Sequence, residues 1–179
     1  DNKKFRKSNY TKTLSIKEIF KKVDYIVLSP GVSFKKALYK TELKKFERKI
    51  ITDIDLLYLN SFAFKSVVVT GTNGKSTTCK LIYHLLKKNG YNVKIGGNIG
   101  TPVLDLKIQK NIFFIIEASS FQLSHSKYIK PNYAILLNIT NDHLDWHGSM
   151  KEYIKSKLKI FKLQDNKDYA LINKKLIKV

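Results

Sequence analysis

The sequence predicts an α/β fold with a mostly parallel sheet. Three observations carry this expectation. Strand-like apolar runs alternate with helix-like segments along most of the 179 residues, the pattern of successive βαβ units. The runs IFFII (residues 112–116) and YAILL (133–137) are continuously apolar, as strands covered on both faces are. Three β-branched residues, Val67–Val69, run straight into a glycine-bearing loop and then a helix-like segment.

In chain order, Asp24–Ser29 reads as a strand closed by the turn Pro30-Gly31, Phe34–Phe46 as a helix, Ile50–Thr52 as a short strand and Asp55–Asn60 as a helical turn. Phe62–Ser66 leads into the Val67–Val69 strand. Lys75–Asn89 reads as a helix with Leu81, Ile82, Leu85 and Leu86 on its buried face and Asn89-Gly90 as its stop. Tyr91–Ile95 is the next strand and GGNIG (96–100) a glycine loop. Asn111–Glu117 and Tyr133–Leu137 are strands, Ser149–Leu163 a helix and Tyr169–Ile172 a last short strand. Ligands of an open parallel sheet bind beyond the carboxyl ends of its strands. The loop after Val69, the 96–100 loop, Glu117 and Asn138 all fall there.

Composition bounds the function. Hydrophobic residues make up 43% of the chain, which supports a packed core and excludes wholesale disorder. The length suits one domain, or one plus part of another. A single cysteine, Cys79, excludes a disulfide framework and points to a reducing compartment, the cytoplasm. No apolar run approaches the ~20 residues of a membrane span, and Asp1–Lys12 is polar and basic, with no core for a secretory leader. The chain lacks an initiator methionine, as a piece of a longer protein does. The net charge of +20 invites a nucleic-acid reading. Yet the only arginines are Arg6 and Arg48, and the lysines are scattered rather than gathered in one stripe. Base and phosphate forks lean on arginine, so the expectation is compositional drift, no specific nucleic acid, and at most weak polyanion binding.

The loop GTNGKSTT (Gly71–Thr78) carries the sharpest chemistry. Gly71 and Gly74 let the backbone turn so that its N–H groups point at an anion, and Lys75 and Ser76 open a helix whose N-terminus favours negative charge. A lysine supplies a mobile cation for phosphates and a hydroxyl supplies an oxygen for Mg2+. The longer phosphate-loop pattern asks for glycine at position 69, where Val69 stands; the shorter G-x-x-G-K-S-T form remains. Glu117, ending a strand, suits a Mg2+ ligand beside such a loop, or a solvated strand terminus. Asp142, His143 and Asp145 suit metal or acid–base work, or a polar loop with capping aspartates. In the 149–163 helix, Met150, Tyr153, Ile154, Lys157, Leu158 and Phe161 share one face, with Lys151, Lys155, Lys159 and Lys162 solvated opposite. Lys157 is then either a snorkelling side chain or a buried amine with a lowered pKa.

Together GTNGKSTT, GGNIGTP, EASSFQL, NITNDHLDWH and YIKSKLKIF, in this order, resemble the Mur ligases, and EASSFQL with Asn73 resembles their D-glutamate-adding branch. LSPGVS (28–33) is similar to the end of that branch's N-terminal domain. The resemblance implies a Rossmann-like N-terminal remnant with its linker over residues 1–64 and a partial central ATP-binding domain over 65–179. It implies an ATP-dependent ligase of peptidoglycan precursor synthesis and cell-wall biogenesis, cytoplasmic and monomeric, acting on UDP-N-acetylmuramoyl-L-alanine, D-glutamate and ATP through an acyl phosphate. By motif, Gly71, Thr72, Asn73, Gly74, Lys75, Ser76 and Thr77 bind ATP. Ser76 and Glu117 bind one Mg2+, and His143 a second. Lys157 is carbamylated by CO2 and serves that metal centre, and Lys75, His143 and Lys157 are the catalytic set. Asn98, Ser119 and Gln122 contact the uridine-nucleotide substrate. Asn141 and Trp146 depart from the family's acidic and basic residues. The family enzyme has three domains, so the chain is expected to be inactive alone. A folylpolyglutamate-synthase-like ligase and a non-catalytic nucleotide or polyanion module stand as alternatives.

Overall fold

The computed structural model describes residues 15–32, 39–60, 63–109 and 111–176. Two parallel sheets form. The smaller pairs β1 (Ile26–Val27) with β2 (Ile50–Ile51). The larger has five strands: β3 (Lys65–Thr70), β4 (Val93–Gly97), β5 (Phe113–Glu117), β6 (Tyr133–Leu136) and β7 (Tyr169–Ile172), in the order β4-β5-β3-β6-β7. Every pairing in it is parallel. The strand expectations hold in order: β7 has the expected bounds, β1, β2, β5 and β6 are shorter than expected, β3 is longer, and β4 starts two residues later and runs on into the expected 96–100 glycine loop.

The central strand β3 alternates its side chains between two cores. Val68 joins Phe114, Ile116, Ala134 and Leu136 on one face, covered by α3 (Asp53–Tyr58), α5 (Ser120–His125) and the end of α7 (Met150–Leu158). Val67 and Val69 join Ile115 and Val93 on the other, covered by α4 (Lys75–Lys88).

The helices correct the sequence expectations. Cys79, Ile82, Tyr83 and Leu86 form the packed stripe of α4, whereas Leu81 and Leu85 are 57% and 51% exposed. Both leucines satisfy an i, i+4 pattern, but the stripe that faces the sheet is offset from them by about a third of a turn. Further along, α7 stops at Leu158 and a 3-10 turn, 159–161, follows. The packed stripe of this segment is Tyr153, Ser156, Lys157 and Ile160, offset from the expected face, so Leu158 is exposed and Lys159 is half-buried, its Nζ donating to the Ser124 carbonyl. Of the expected 34–46 helix, Lys40–Lys45 forms α2; residues 34–38 lie outside the described residues. The α4-side face of β6 and β7 is bare among the described residues: Tyr169 and Leu171 are about two-thirds exposed, and Tyr169 stacks on Tyr133 at 5.3 Å.

Asp55 joins the two sheets. It is fully buried in α3, next to Ile54 and Leu57 in the main core. Its Oδ1 accepts from Ser126 Oγ (2.7 Å), the Lys127 amide (3.0 Å) and the Tyr128 amide (2.8 Å), and its Oδ2 from the Thr52 amide (3.0 Å). Lys127 adds two bonds from Nζ to the carbonyls of Glu47 and Arg48, just before β2. A carboxylate with donors on every side satisfies the desolvation penalty that burial imposes.

An amide in its place turns an NH2 group toward backbone donors. Asp55→Asn is therefore expected to destabilise the chain by about 2–4 kcal/mol. Asp105→Asn, on an exposed 3-10 turn, should stay within about 0.5 kcal/mol. Urea denaturation of both variants checks the contrast.

Candidate nucleotide and metal site

The loop between β3 and α4 lies at the carboxyl edge of the sheet. Gly74 caps α4 in a left-handed conformation (φ 83°), and no side chain accepts from the first amides of the helix. Those N–H groups thus converge on open space suited to an anion. Lys75 folds back over the loop, its Nζ donating to the carbonyls of Gly71 (3.0 Å) and Thr72 (2.7 Å). Ser76 and Thr77 are exposed on the first turn.

The neighbouring strand ends hold the loop. Asn138, just past β6, accepts from the Asn73 amide (2.9 Å), donates to the Asn73 carbonyl (3.0 Å) and accepts from the Thr72 amide through its own carbonyl (3.0 Å). Thr72 Oγ1 accepts from the Thr140 amide and meets the Tyr153 hydroxyl, both at 3.0 Å. The sequence placed Asn138 at this edge without a role, and the anchoring parts of Thr140 and Tyr153 were missed, although all three lie in the motifs that flagged the site.

On the other side, Glu117 ends β5 with 2% exposure. Ser76 Oγ donates to its Oε2 (2.6 Å) and Asn98 Nδ2 to its Oε1 (2.8 Å). Gly97 permits this approach: a Cβ there would lie 2.4 Å from the Glu117 carbonyl oxygen. The structure thus brings Lys75, Ser76, Asn98 and Glu117 together. A hydroxyl and a carboxylate at this separation fit Mg2+, which takes few protein oxygens and fills its shell with water and phosphate. No cluster of three or more His, Cys, Asp or Glu residues suited to a metal occurs among the described residues.

Lys157 reaches the same loop from α7. With 2% exposure, its Nζ donates to the Gly71 carbonyl (2.8 Å), the acceptor that Lys75 also uses, and lies 4.7 Å from the Tyr153 ring centre. Burial, reinforced by the charge of Lys75 and opposed by Asp142, lowers its pKa to about 7. A free-amine fraction therefore exists at neutral pH, and the snorkelling alternative is excluded. His143 holds a left-handed backbone (φ 52°) at the start of α6 (Leu144–His147). Its ring packs 4.6 Å from Phe121, and Nε2 lies 3.4 Å from Asp142, with the side chain 45% exposed.

Ser119 and Gln122 sit apart in role. They form the capping box of α5, and Gln122 Nε2 donates to both Asp53 oxygens (3.1 and 3.3 Å). Both residues are thereby engaged in holding α5 against α3. Burial raises the pKa of Asp53, and the Gln122 hydrogen bond opposes this.

Sequence reasoning missed His147. It is 6% exposed at the end of α6, with Nε2 3.0 Å from Ser120 Oγ. Burial first, then the positive charges of His143 and Lys157, lowers its pKa to about 4. The group is neutral in the folded chain and charges more readily in the unfolded one. Its folded pKa lies below the ordinary 6.5, so stability falls as pH drops from about 6.5 to 4, by about 2–3 kcal/mol. Replacement by phenylalanine should flatten that stretch of the stability–pH curve, measured by denaturant midpoints across the range.

Residues 69–177 match the Mur ligase middle domain. The chain is similar to the UDP-N-acetylmuramoylalanine--D-glutamate ligase of Rickettsia bellii, 46% identical over 151 residues that cover 84% of this chain and 33% of that protein. It is also similar to the enzyme of the same name from Wolbachia pipientis wMel, 48% identical over 77% of this chain and 27% of that one. The chain thus spans about a third of the length of such relatives. Among solved structures, the MurF ligase of Thermotoga maritima in complex with ADP superposes with a TM-score of 0.54 at 22% identity, covering 89% of this chain and 46% of that one. UDP-N-acetylmuramate:L-alanyl-gamma-D-glutamyl-meso-diaminopimelate ligase from Neisseria meningitides gives 0.54 at 23%, covering 86% and 52%; both likenesses speak to the fold. With more than half of its length matched to the middle domain, the chain belongs to the Mur ligase family.

Proposed function

We propose that this chain is the nucleotide- and metal-handling part of an ATP-dependent ligase that joins D-glutamate to UDP-N-acetylmuramoyl-L-alanine in peptidoglycan precursor synthesis in the cytoplasm. The observation that carries the reading is the Ser76–Glu117 pair, 2.6 Å apart beside an uncapped helix N-terminus. The relatives named D-glutamate ligases favour this acceptor over a folylpolyglutamate-type one. Residues 1–64 are the remnant and linker of a substrate-binding domain, and 65–179 are part of the ATP-binding domain.

In this reading Lys75 leaves the carbonyls of Gly71 and Thr72 for the ATP phosphates, and the amides of Asn73–Thr77 turn toward the same anions. Ser76 and Glu117 hold one Mg2+, which offsets the charge gathered when a carboxylate meets a triphosphate. His143 and Lys157 serve a second metal. Lys157 fits carbamylation by CO2, since its amine is buried and partly neutral, and a carbamate would add a second anionic group to that of Asp142 beside His143. After phosphoryl transfer to the substrate carboxylate, the D-glutamate amine attacks the acyl phosphate and expels phosphate. Asn98 holds the Glu117 carboxylate from the substrate side, and Ser119 and Gln122 shape the neighbouring wall.

Calorimetry of this chain with Mg-ATP tests the reading. Lys75→Ala should weaken binding at least tenfold, by the loss of a charge-assisted contact of about 1.5–3 kcal/mol; equal affinity in parent and variant rejects a working phosphate loop.

Lys157 has its own test. In 13C-bicarbonate buffer the parent should show a carbamate carbon resonance that is absent from Lys157→Met, while the two unfold with similar cooperativity. Identical spectra would falsify the carbamate assignment.

A further inference from the structure

We infer that His147 is a positioning residue for the nucleotide and metal site, locking the end of β5 to α7 so that Glu117 and Lys157 stay in register on either side of the loop. The inference rests on the ligase reading given above. Left-handed backbone at His143 (φ 52°) and Gly148 (φ 84°) brackets the four-residue α6 and aims its last residue inward. There the imidazole meets one serine from each side. Nε2 lies 3.0 Å from Ser120 Oγ, three residues past Glu117 and the first residue of α5. Nδ1 lies 3.5 Å from Ser156 Oγ, immediately before Lys157.

The proton positions follow from the neighbours. Ser156 Oγ donates its hydrogen to the Glu152 carbonyl (2.8 Å), so only its lone pairs face Nδ1. Nδ1 therefore carries the imidazole hydrogen, and the bare Nε2 accepts from the Ser120 hydroxyl. Packing is a separate contribution: the ring lies parallel to Phe121 (5.8 Å, 5°) and edge-on to Tyr153 (5.2 Å). A phenyl ring reproduces the packing and neither hydrogen bond.

That difference makes the test. The 179-residue chain, His147→Phe and His147→Gln are titrated with ATP in Mg2+ and in EDTA, and the parent imidazole is read by 15N NMR at pH 7. The parent should show a neutral ring with hydrogen on Nδ1. His147→Phe should fold cooperatively, lose about tenfold in Mg-ATP affinity, and bind ATP in EDTA within about twofold of the parent; of its two lost contacts the Ser120 hydrogen bond sets the effect, since the Ser156 contact is long at 3.5 Å. His147→Gln, whose amide oxygen reaches Ser120, should recover to within about threefold. Ser120→Ala removes the same bond with the imidazole intact and should match His147→Phe. A charged ring or a hydrogen on Nε2, parent-like Mg-ATP affinity in Ser120→Ala, or equal losses with and without Mg2+ would each overturn the positioning role while leaving the ligase reading standing. A parent without any Mg2+-dependent ATP binding would overturn the ligase reading, and this inference with it.

Discussion

The register of β3 between β5 and β6 is the constraint on which the site depends. Val69 pairs with Glu117 on one side and Thr70 with Leu136 on the other. A parallel ladder fixes which residues emerge together at its carboxyl edge. Here it delivers a carboxylate to one flank of the loop and Asn138 to the other. A slip of one residue would turn Glu117 to the opposite face of the sheet and replace the alternation of Val67, Val68 and Val69 between two cores with its inverse. The apolar faces thus enforce the geometry of the polar edge.

Buried polar groups complete the arrangement, and each is held in a different way. Asp55 gathers backbone and hydroxyl donors around its carboxylate. Glu117 does so with a serine and an asparagine. Lys157 has no carboxylate within bonding distance among the described residues; it has only the Gly71 carbonyl and an aromatic face, so its charge is poorly compensated and its proton is loosely held. Where Asp55 is ringed by donors from both sheets' loops, Lys157 is a buried amine with one carbonyl partner beside the candidate phosphate loop. The same burial that stabilises a neutral core makes the one group inert and the other available.

Much of this was legible in the sequence, because the strongest signals were local. The β-branched run before Gly71, the glycines of the loop and the stop at Asn89-Gly90 each have a backbone reason, and the elements they mark sit where expected, whereas the helix Ile16–Lys22, α5 and α6 were not anticipated. The helix faces were less legible. Leu81 and Leu85 fit an amphipathic spacing as well as Cys79, Ile82 and Leu86 do, and only the position of α4 over the sheet decides between them. Along α7 and the 3-10 turn after it the buried stripe runs through residues 153, 156, 157 and 160, so Leu158 points out and Lys159 is half-buried; periodicity gives the spacing of such a stripe but not which side of the helix meets the core. His147 stayed hidden for another reason: its partners, Ser120 and Ser156, lie 27 and 9 residues away and meet it only in the fold.

The bare α4-side face of β6 and β7 has a colloidal consequence. Tyr169 and Leu171 stand on an edge strand whose outer backbone groups have no ladder partner among the described residues, an invitation to strand pairing between molecules. A net charge of +20 opposes such contacts at low ionic strength, since like-charged chains repel before their edges meet. Added salt shortens the reach of that repulsion to about 8 Å at physiological strength. The lysine excess thus opposes edge-to-edge association most strongly in dilute buffer and least in concentrated salt.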